Sequence, residues 1–326
     1  MPIRALFFGT PDFALPTLRV LHEDPAIELC GVVTRPDRPA GRGKQLQPPP
    51  VKALAQERNL EIFQPESLKD PAAVEWIRQR SPDVLVVVAY GAFVPTAVRE
   101  IPPLGCVNLH PSRLPRYRGA APIQWTLING ETATANTTMY LADGWDDGDI
   151  IYQEEEPVRP RDTAGGLAER LAEKGGRLVL RSLVDIAAGV APRIPQNEAE
   201  ATFAPQIKNE DARLDWNRPA REIHNRIRGL NPDPGAFTLC QGERWKILRS
   251  EVIEESPASS PGTASCPGTA SCPGTIVSTE FNTIRVAARD GIVEILELQP
   301  AGKKSMTAAS FLRGRPLEPG AACENA

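Results

Sequence analysis

Of the three histidines in the 326-residue chain, His22, His110 and His224, only His110 has neighbours that suggest chemistry. It lies in Val107-Asn108-Leu109-His110-Pro111, and in an extended chain residues two apart project to the same face. Asn108 and His110 therefore stand side by side, with Val107 and Leu109 packed behind them. Pro111 holds His110 extended and ends the strand. An amide and an imidazole so placed can polarise a carbonyl, although a histidine at a strand end also serves as an ordinary structural hydrogen-bonding group.

The second cluster is Asp143-Gly-Trp-Asp146-Asp147-Gly148-Asp149. Asp143, Asp147, Gly148 and Glu154 fall at positions 1, 5, 6 and 12 of an EF-hand loop, but Trp145 occupies position 3 and the flanks are strand-like. Calcium is disfavoured. Two readings stay open, a solvated turn or a loop whose single Asp reaches the Asn108–His110 pair. A third cluster is basic: Arg35, Arg38, Arg42 and Lys44 against Asp37 leave a net charge of +3 in ten residues. Spaced cations on a Gly/Pro loop suit phosphate contact, though a charge run alone is often only solvated surface.

Other chemistries lack their residues. The turn after the first apolar run, Gly9-Thr-Pro-Asp-Phe13, has one glycine and a proline where a dinucleotide loop needs close backbone approach. No Walker A sequence occurs. Six cysteines (Cys30, Cys106, Cys240, Cys266, Cys272 and Cys323) include no Cys-x-x-Cys pair, so free thiols, no metal and a reducing cytoplasm are expected.

These side chains need elements to carry them. Residues 3–8, 27–33, 84–88 and 106–109 are short apolar runs that read as strands, and 13–21, 51–58 and 72–80 have helical period between them. Apolar strands alternating with helices predict a doubly wound, Rossmann-like α/β domain with a parallel sheet, whose ligands gather at the carboxyl ends of the strands. Strands at 137–141 and 150–152 flank the acidic loop, and a helix over 163–188 follows, with Gly175-Gly176 as a possible break. Residues 190–208 contain proline, lack a clear period and suit a linker. Beyond them a helix over 219–228 places Ile223 and Ile227 on one face and Arg221 and Arg228 on the other. Five strands, 236–239, 244–248, 275–277, 283–287 and 292–298, then suggest a small antiparallel barrel of the OB type. The expected domains are 1–189 and 209–326. A perfect repeat, Pro261-Gly-Thr-Ala-Ser-Cys266 and again 267–272, reads as a surface-loop insertion.

Composition sets the limits. With 33 prolines the chain has roughly twice the usual share, yet 41% hydrophobic and 24% charged residues exclude dominant disorder. The longest apolar run, 84–94, is interrupted by Gly91 and is far shorter than the ~20 residues of a membrane helix. No membrane partner is expected. A net charge of −4 excludes an indiscriminate polyanion binder. The acid surplus lies in 1–203, however, while 204–249 hold nine basic against six acidic residues. Local basic regions can still bind a nucleic acid selectively.

Taken in chain order, Gly9-Thr-Pro-Asp-Phe-Ala14, Pro36-Asp-Arg-Pro-Ala-Gly-Arg-Gly-Lys44, Asn108-x-His110, Arg118-Gly-Ala-Ala-Pro-Ile-Gln124 and Asp146-x-Gly-Asp149 closely resemble the methionyl-tRNA formyltransferase family. Arg228-Gly-Leu-Asn-Pro232 and Gln299-Pro-Ala-Gly-Lys-Lys304 extend the resemblance into the second domain. The Asn-x-His and Asp elements are common to all 10-formyltetrahydrofolate-dependent formyltransferases; the basic loop and the C-terminal motifs point to the tRNA enzymes. The resemblance implies formyl transfer from 10-formyltetrahydrofolate to methionyl-initiator tRNA in translation initiation, by a cytoplasmic monomer. It implies Asn108, His110 and Asp146 as catalytic, Ser112, Arg113, Leu114 and Pro115 as folate-binding, and Arg42 with Lys44 as gripping the tRNA acceptor end. Arg113, Asp147 and Asp233 depart from the family's apolar residue, Thr and aromatic at those positions. The alternative within the class is a formyltransferase acting on a small amine, a nucleotide precursor or an amino sugar.

Overall fold

The computed structural model describes residues 1–40, 45–253 and 272–325. Their contacts divide the chain into two compact units. One comprises Met1–Pro122, Ala133–Pro157 and Ala168–Ala204, the other Ile123–Thr132, Val158–Leu167 and Pro205–Ala326. Among the described residues no helix is long and apolar enough to cross a membrane.

The first unit is built on strands β1 (Ile3–Gly9), β2 (Ile27–Val33), β5 (Ile62–Phe63), β6 (Val84–Val88), β7 (Cys106–His110), β8 (Ala133–Tyr140) and β9 (Ile150–Pro157), with the order β5-β2-β1-β6-β7-β8-β9. A separate ribbon, β3 (Arg38–Ala40) against β4 (Gln45–Gln47), carries the basic loop. Helices are α1 (Leu15–Glu23), α2 (Pro50–Glu57), α3 (Pro71–Gln79) and α4 (Thr96–Arg99). Each of α2 and α3 starts on a proline, whose missing N–H costs nothing in a first turn, and the Asp70 carboxylate caps α3 by accepting from Ala72 N at 2.9 Å.

The pleat of the central strands feeds two cores. Ala5 and Phe7 of β1, Val84, Val86 and Val88 of β6, and Val107 and Leu109 of β7 pack with α1 and α2 on one face. Leu6, Phe8, Leu85, Val87 and Cys106 pack with Ile77 and Val98 on the other. Burial on both faces explains why these strands read as unbroken apolar runs.

The sheet differs from the parallel expectation at one edge. β5, β2, β1, β6 and β7 are parallel, but β8 runs antiparallel to β7 and β9 antiparallel to β8. Only residues 141–149 join β8 to β9, too few for the crossover that a parallel pair needs. Glycines 175 and 176 do not break the following helix either, since α6 runs unbroken over Ala164–Ala187. They are small for contact: a Cβ on Gly175 would lie 2.5 Å from Leu109 Cδ2, so the helix presses directly on the back of β7.

The second unit contains α5 (Pro122–Ile128) from Ile123 onward, α7 (Ala220–Gly229), β10 (Phe237–Cys240), β11 (Glu243–Ile253), β12 (Ile276–Ser278), β13 (Ile284–Ala287), β14 (Ile292–Pro300), β15 (Met306–Thr307), α8 (Ala308–Gly314) and β16 (Cys323–Glu324). The strand order is β12-β13-β14-β11-β10-β16, and a bridge between Thr275 and Ala322 brings the two edges together as a nearly closed antiparallel barrel. Trp216, Trp245, Ile247, Ile295 and Leu298 fill it, with Ile223 and Ile227 of α7 packed in. Arg228 does not join Arg221 on a solvent face. It is buried, donates from Nε to Asn225 Oδ1 at 2.9 Å, and burial pulls its pKa down. The first three residues of the Arg-Gly-Leu-Asn-Pro motif are thus buried, half-buried Asn231 donates from Nδ2 to Leu248 O at 2.6 Å, and Pro232 is exposed. One of the nine cations counted over 204–249 is therefore not surface charge.

Candidate active site

The register of β7 places its chemistry. Asn108 lies opposite Val87 of β6 and Met139 of β8, and His110 opposite Thr137, so both project at the carboxyl end of the parallel sheet, away from the core behind Val107 and Leu109. Both are buried. Among the described residues no hydrogen bond occupies the Asn108 amide. Cys106 shares this face, but burial pushes its thiol up to about 12, which removes it as a nucleophile.

His110 is held at both ring nitrogens. Nε2 lies 2.9 Å from Tyr117 O, and because a carbonyl only accepts, Nε2 carries a proton and donates. Nδ1 faces the Asp146 Oδ2 oxygen at 3.5 Å, too long for a hydrogen bond. With Nε2–H given to the carbonyl, Nδ1 carries a proton only in the imidazolium form, and there it would point between the carboxylate and an incoming oxygen. The same Asp146 Oδ2 accepts from Gly119 N at 2.8 Å.

The acidic loop is shaped to bring Asp146 there. Asp146 has a left-handed backbone with φ of 53°, and a Cβ on Gly148 would fall 1.8 Å from Tyr140 O, so only glycine lets the loop fold against β8. Asp143 turns away to pair with Arg99 on α4, which holds its carboxyl below the usual range, and Glu154 sits on β9 opposite Asn136. The EF-hand spacing thus does not converge. Among the described residues no group of three His, Cys, Asp or Glu side chains could hold a metal ion. Beside Asp146, Trp145 is exposed and packs at 6.2 Å against exposed Phe93 from the loop after β6.

Residues 3–183 match the family described as formyl transferase, and residues 206–316 match its C-terminal domain. The protein is 44% identical to the methionyl-tRNA formyltransferase of Syntrophus aciditrophicus over 318 residues, 98% of each chain. That of Moorella thermoacetica is equally similar, at 44% over 98% of each. The chain belongs to the methionyl-tRNA formyltransferase family.

Solved structures share the fold of this family member at low identity. An N-formyltransferase from Helicobacter canadensis superposes with a TM-score of 0.66 at 16% identity, covering 90% of this chain and 98% of that one. HypX from Aquifex aeolicus gives 0.62 at 17%, and this chain spans about half its length, 51%.

The other residues singled out by the family resemblance fall unevenly. Arg42 and Lys44 lie outside the described residues, between β3 and β4 in the sequence. At the foot of that ribbon, Asp37 is bound by Gln64 and by Lys52, which hold its carboxyl low and neutralise the loop's one acid. Ser112 and Leu114 are buried: the Ser112 hydroxyl donates to Arg116 O at 2.7 Å, and Leu114 packs with Met139 and Ile150. Arg113 is exposed and reaches Glu155 at 3.3 Å, and Pro115 follows a cis bond, half-buried. Of the four residues expected to meet folate, Arg113 and Pro115 have accessible side chains.

Two residues that the sequence did not single out, Gln196 and Glu198, complete the site around Arg118 of the Arg118–Gln124 motif. Arg118, buried, donates to Gln196 Oε1 at 3.0 Å and makes a two-pronged pair with Glu198, whose carboxyl is thereby held low. Gln196 and Glu198 belong to a stretch without period in the sequence. No local pattern marks them.

Proposed function

We propose that the protein transfers the formyl group of 10-formyltetrahydrofolate to the free amino group of methionine esterified to initiator tRNA, acting in the cytoplasm as a monomer. Residues 1–189 carry the chemistry, 190–208 connect, with their part up to Ala204 packed into the first unit, and 209–326 serve the tRNA. The observation that carries the reading is the convergence of Asn108, His110 and Asp146 at the carboxyl end of β7, in a chain belonging to this family throughout its length.

A free α-amine has a pKa near 8 and an ester lowers it, so neutral nucleophile is present near pH 7 without a strong base. The amine nitrogen attacks the formyl carbon, and the carbonyl electrons move to its oxygen. Asn108 Nδ2 and the Nδ1–H of His110 donate to that oxyanion; one such donor is typically worth about 3 kcal/mol. Asp146 offsets the charge on the imidazole and, through water, accepts the proton leaving the attacking nitrogen. Collapse breaks the bond from carbon to the folate nitrogen, which takes up a proton as tetrahydrofolate leaves. The exposed Phe93 and Trp145 rings, tilted against each other beside Asp146, offer aromatic faces to a heteroaromatic ring, and exposed Arg113, now paired with Glu155, offers a cation to the donor's carboxylates. Arg42 and Lys44, in a sequence segment whose one acid, Asp37, is already paired, grip the acceptor end of the tRNA.

Two of the solved relatives are described with sugar substrates: a sugar 3N-formyl transferase, and the Helicobacter canadensis protein with dTDP-3-aminofucose. The test therefore incubates 10-formyltetrahydrofolate with charged initiator tRNA, uncharged tRNA, an amino-sugar nucleotide, or no acceptor. Formylation with charged tRNA alone is expected, and turnover only with the amino sugar would replace this reading by the small-amine one. Arg42→Ala should raise KM for tRNA and flatten its dependence on salt by about one unit of log–log slope; an unchanged slope removes Arg42 from phosphate contact.

A further inference from the structure

Three consecutive residues hold three parts of the site. Tyr117 O accepts from His110 Nε2 at 2.9 Å, the Arg118 guanidinium donates to Gln196, and Gly119 N donates to Asp146 Oδ2 at 2.8 Å. The segment is in turn stitched to residues 202–204. Arg118 N donates to Thr202 O at 2.8 Å, Ala204 N to Arg118 O at 2.7 Å, and Tyr117 N to Thr202 Oγ1 at 2.9 Å. The stretch after α6 is therefore built into the N-terminal unit rather than passing over it.

From this stretch Gln196 reaches the acidic loop. Its Nε2 lies 2.8 Å from Asp146 O and 2.8 Å from Gly148 O, bracketing the loop on both sides of Asp147. The orientation of the amide is not arbitrary. A guanidinium can only donate, so Oε1 faces Arg118 and the NH2 group has to face the two carbonyls. Arg118 is buried and its own direction is set by the paired oxygens of Glu198 at 3.0 and 2.7 Å. Asp146, meanwhile, sits in a left-handed conformation that a residue with a side chain adopts only when its surroundings impose it.

We propose that Gln196 is a positioning residue for the reaction: by clamping the Asp146 and Gly148 carbonyls it sets where the Asp146 carboxylate stands relative to His110 Nδ1. Without the clamp the loop relaxes toward an unstrained backbone, and Asp146 is held by Gly119 N alone. Both ends of the Gln196 amide are taken up by Arg118 and the two loop carbonyls, so its loss should leave binding intact while the proton relay loses its geometry.

This inference rests on the formyl-transfer reading for its kinetic arm, and a second arm is independent of it. In full-length Gln196→Ala, kcat should fall about tenfold or more with KM for both substrates within about twofold of wild type, since misplacement by about 1 Å costs up to 100-fold. Deuterium exchange over 144–149 should accelerate while the thermal midpoint moves little. Gln196→Glu keeps the size and the acceptor toward Arg118 but turns an oxygen on the two carbonyls, and should lose at least as much kcat. The proposal is overturned by unchanged kcat in both variants, by a rise in KM with kcat intact, by unchanged exchange over 144–149, or by loss of activity that only follows loss of folded protein. Should Gln196→Ala not fold, the isosteric Gln196→Glu carries the test, and failure of both to fold makes the role purely structural. Wild-type protein inactive with every acceptor overturns the formyl-transfer reading instead, and the exchange arm still judges the clamp.

Discussion

Asn108 and His110 ride on β7, paired to β6 on one side and β8 on the other, with Val107 and Leu109 sealed behind them and α6 pressed against Leu109 through Gly175. Asp146 rides on residues 141–149, in a left-handed conformation, secured by one amide side chain and one backbone N–H. The first region is held by many small packing terms that no single polar group controls. The second is held by a few directional bonds, each of which matters by itself. Two partners of one ionic contact thus differ in how easily they are displaced, and the 3.5 Å between them is decided mainly by the loop.

His110→Ala tests the pair most severely. On the proposed mechanism it removes an oxyanion donor and the group that Asp146 balances, and kcat should fall by about 10³-fold or more in a folded protein. Asp146→Asn, which keeps the acceptor for Gly119 N but loses the charge, should cost about 10²-fold or more through the relay. Asn108→Ala removes one neutral donor and should cost about 10² to 10³-fold. Near-normal turnover in any of the three, measured under saturating substrates, strikes that residue from the mechanism.

The comparison itself is sharpened by disturbing each support. Gly175→Ala presses a methyl on Leu109, an overpacking cost of about 1–3 kcal/mol, against which alanine's helix preference returns about 1 kcal/mol. Denaturation should show a net loss of roughly 1 kcal/mol, with kcat per folded molecule within a few-fold of wild type. A large loss of kcat at unchanged stability would mean that β7 is as finely poised as the loop. The smallest effect is expected from deleting residues 261–272, which lie outside the described residues except for Cys272: turnover and melting should stay near wild type, and lost activity in a folded deletion would contradict an inert insertion.

Much of this was legible before any tertiary contact. Period-two placement of Asn108 and His110, the extended stop imposed by Pro111, and the all-apolar core strands follow from backbone geometry that repeats every residue or two. The antiparallel β8–β9 edge was not read in advance, because apolar pattern says which faces are buried but not which way a neighbouring strand runs. The unbroken α6 was missed for a related reason. Paired glycines weaken an isolated helix, yet here they allow the approach to Leu109 and to the main chain of Pro16 and Thr17. Arg228 was misassigned because a cation's burial depends on partners such as Asn225 and Arg159 O that only the folded unit supplies.

By itself the sequence determined the chemical types at the site, the strand that presents two of them, and the membership of a family whose members formylate methionyl-tRNA. The tertiary structure alone decided which nitrogen of His110 faces Asp146, that Ser112 and Leu114 are buried, and that Gln196 reaches the loop from 50 residues away in the chain. The division has one physical cause. Strand pleat and helix period are properties of neighbouring residues, whereas hydrogen bonds between distant loops depend on where the whole chain has brought their ends.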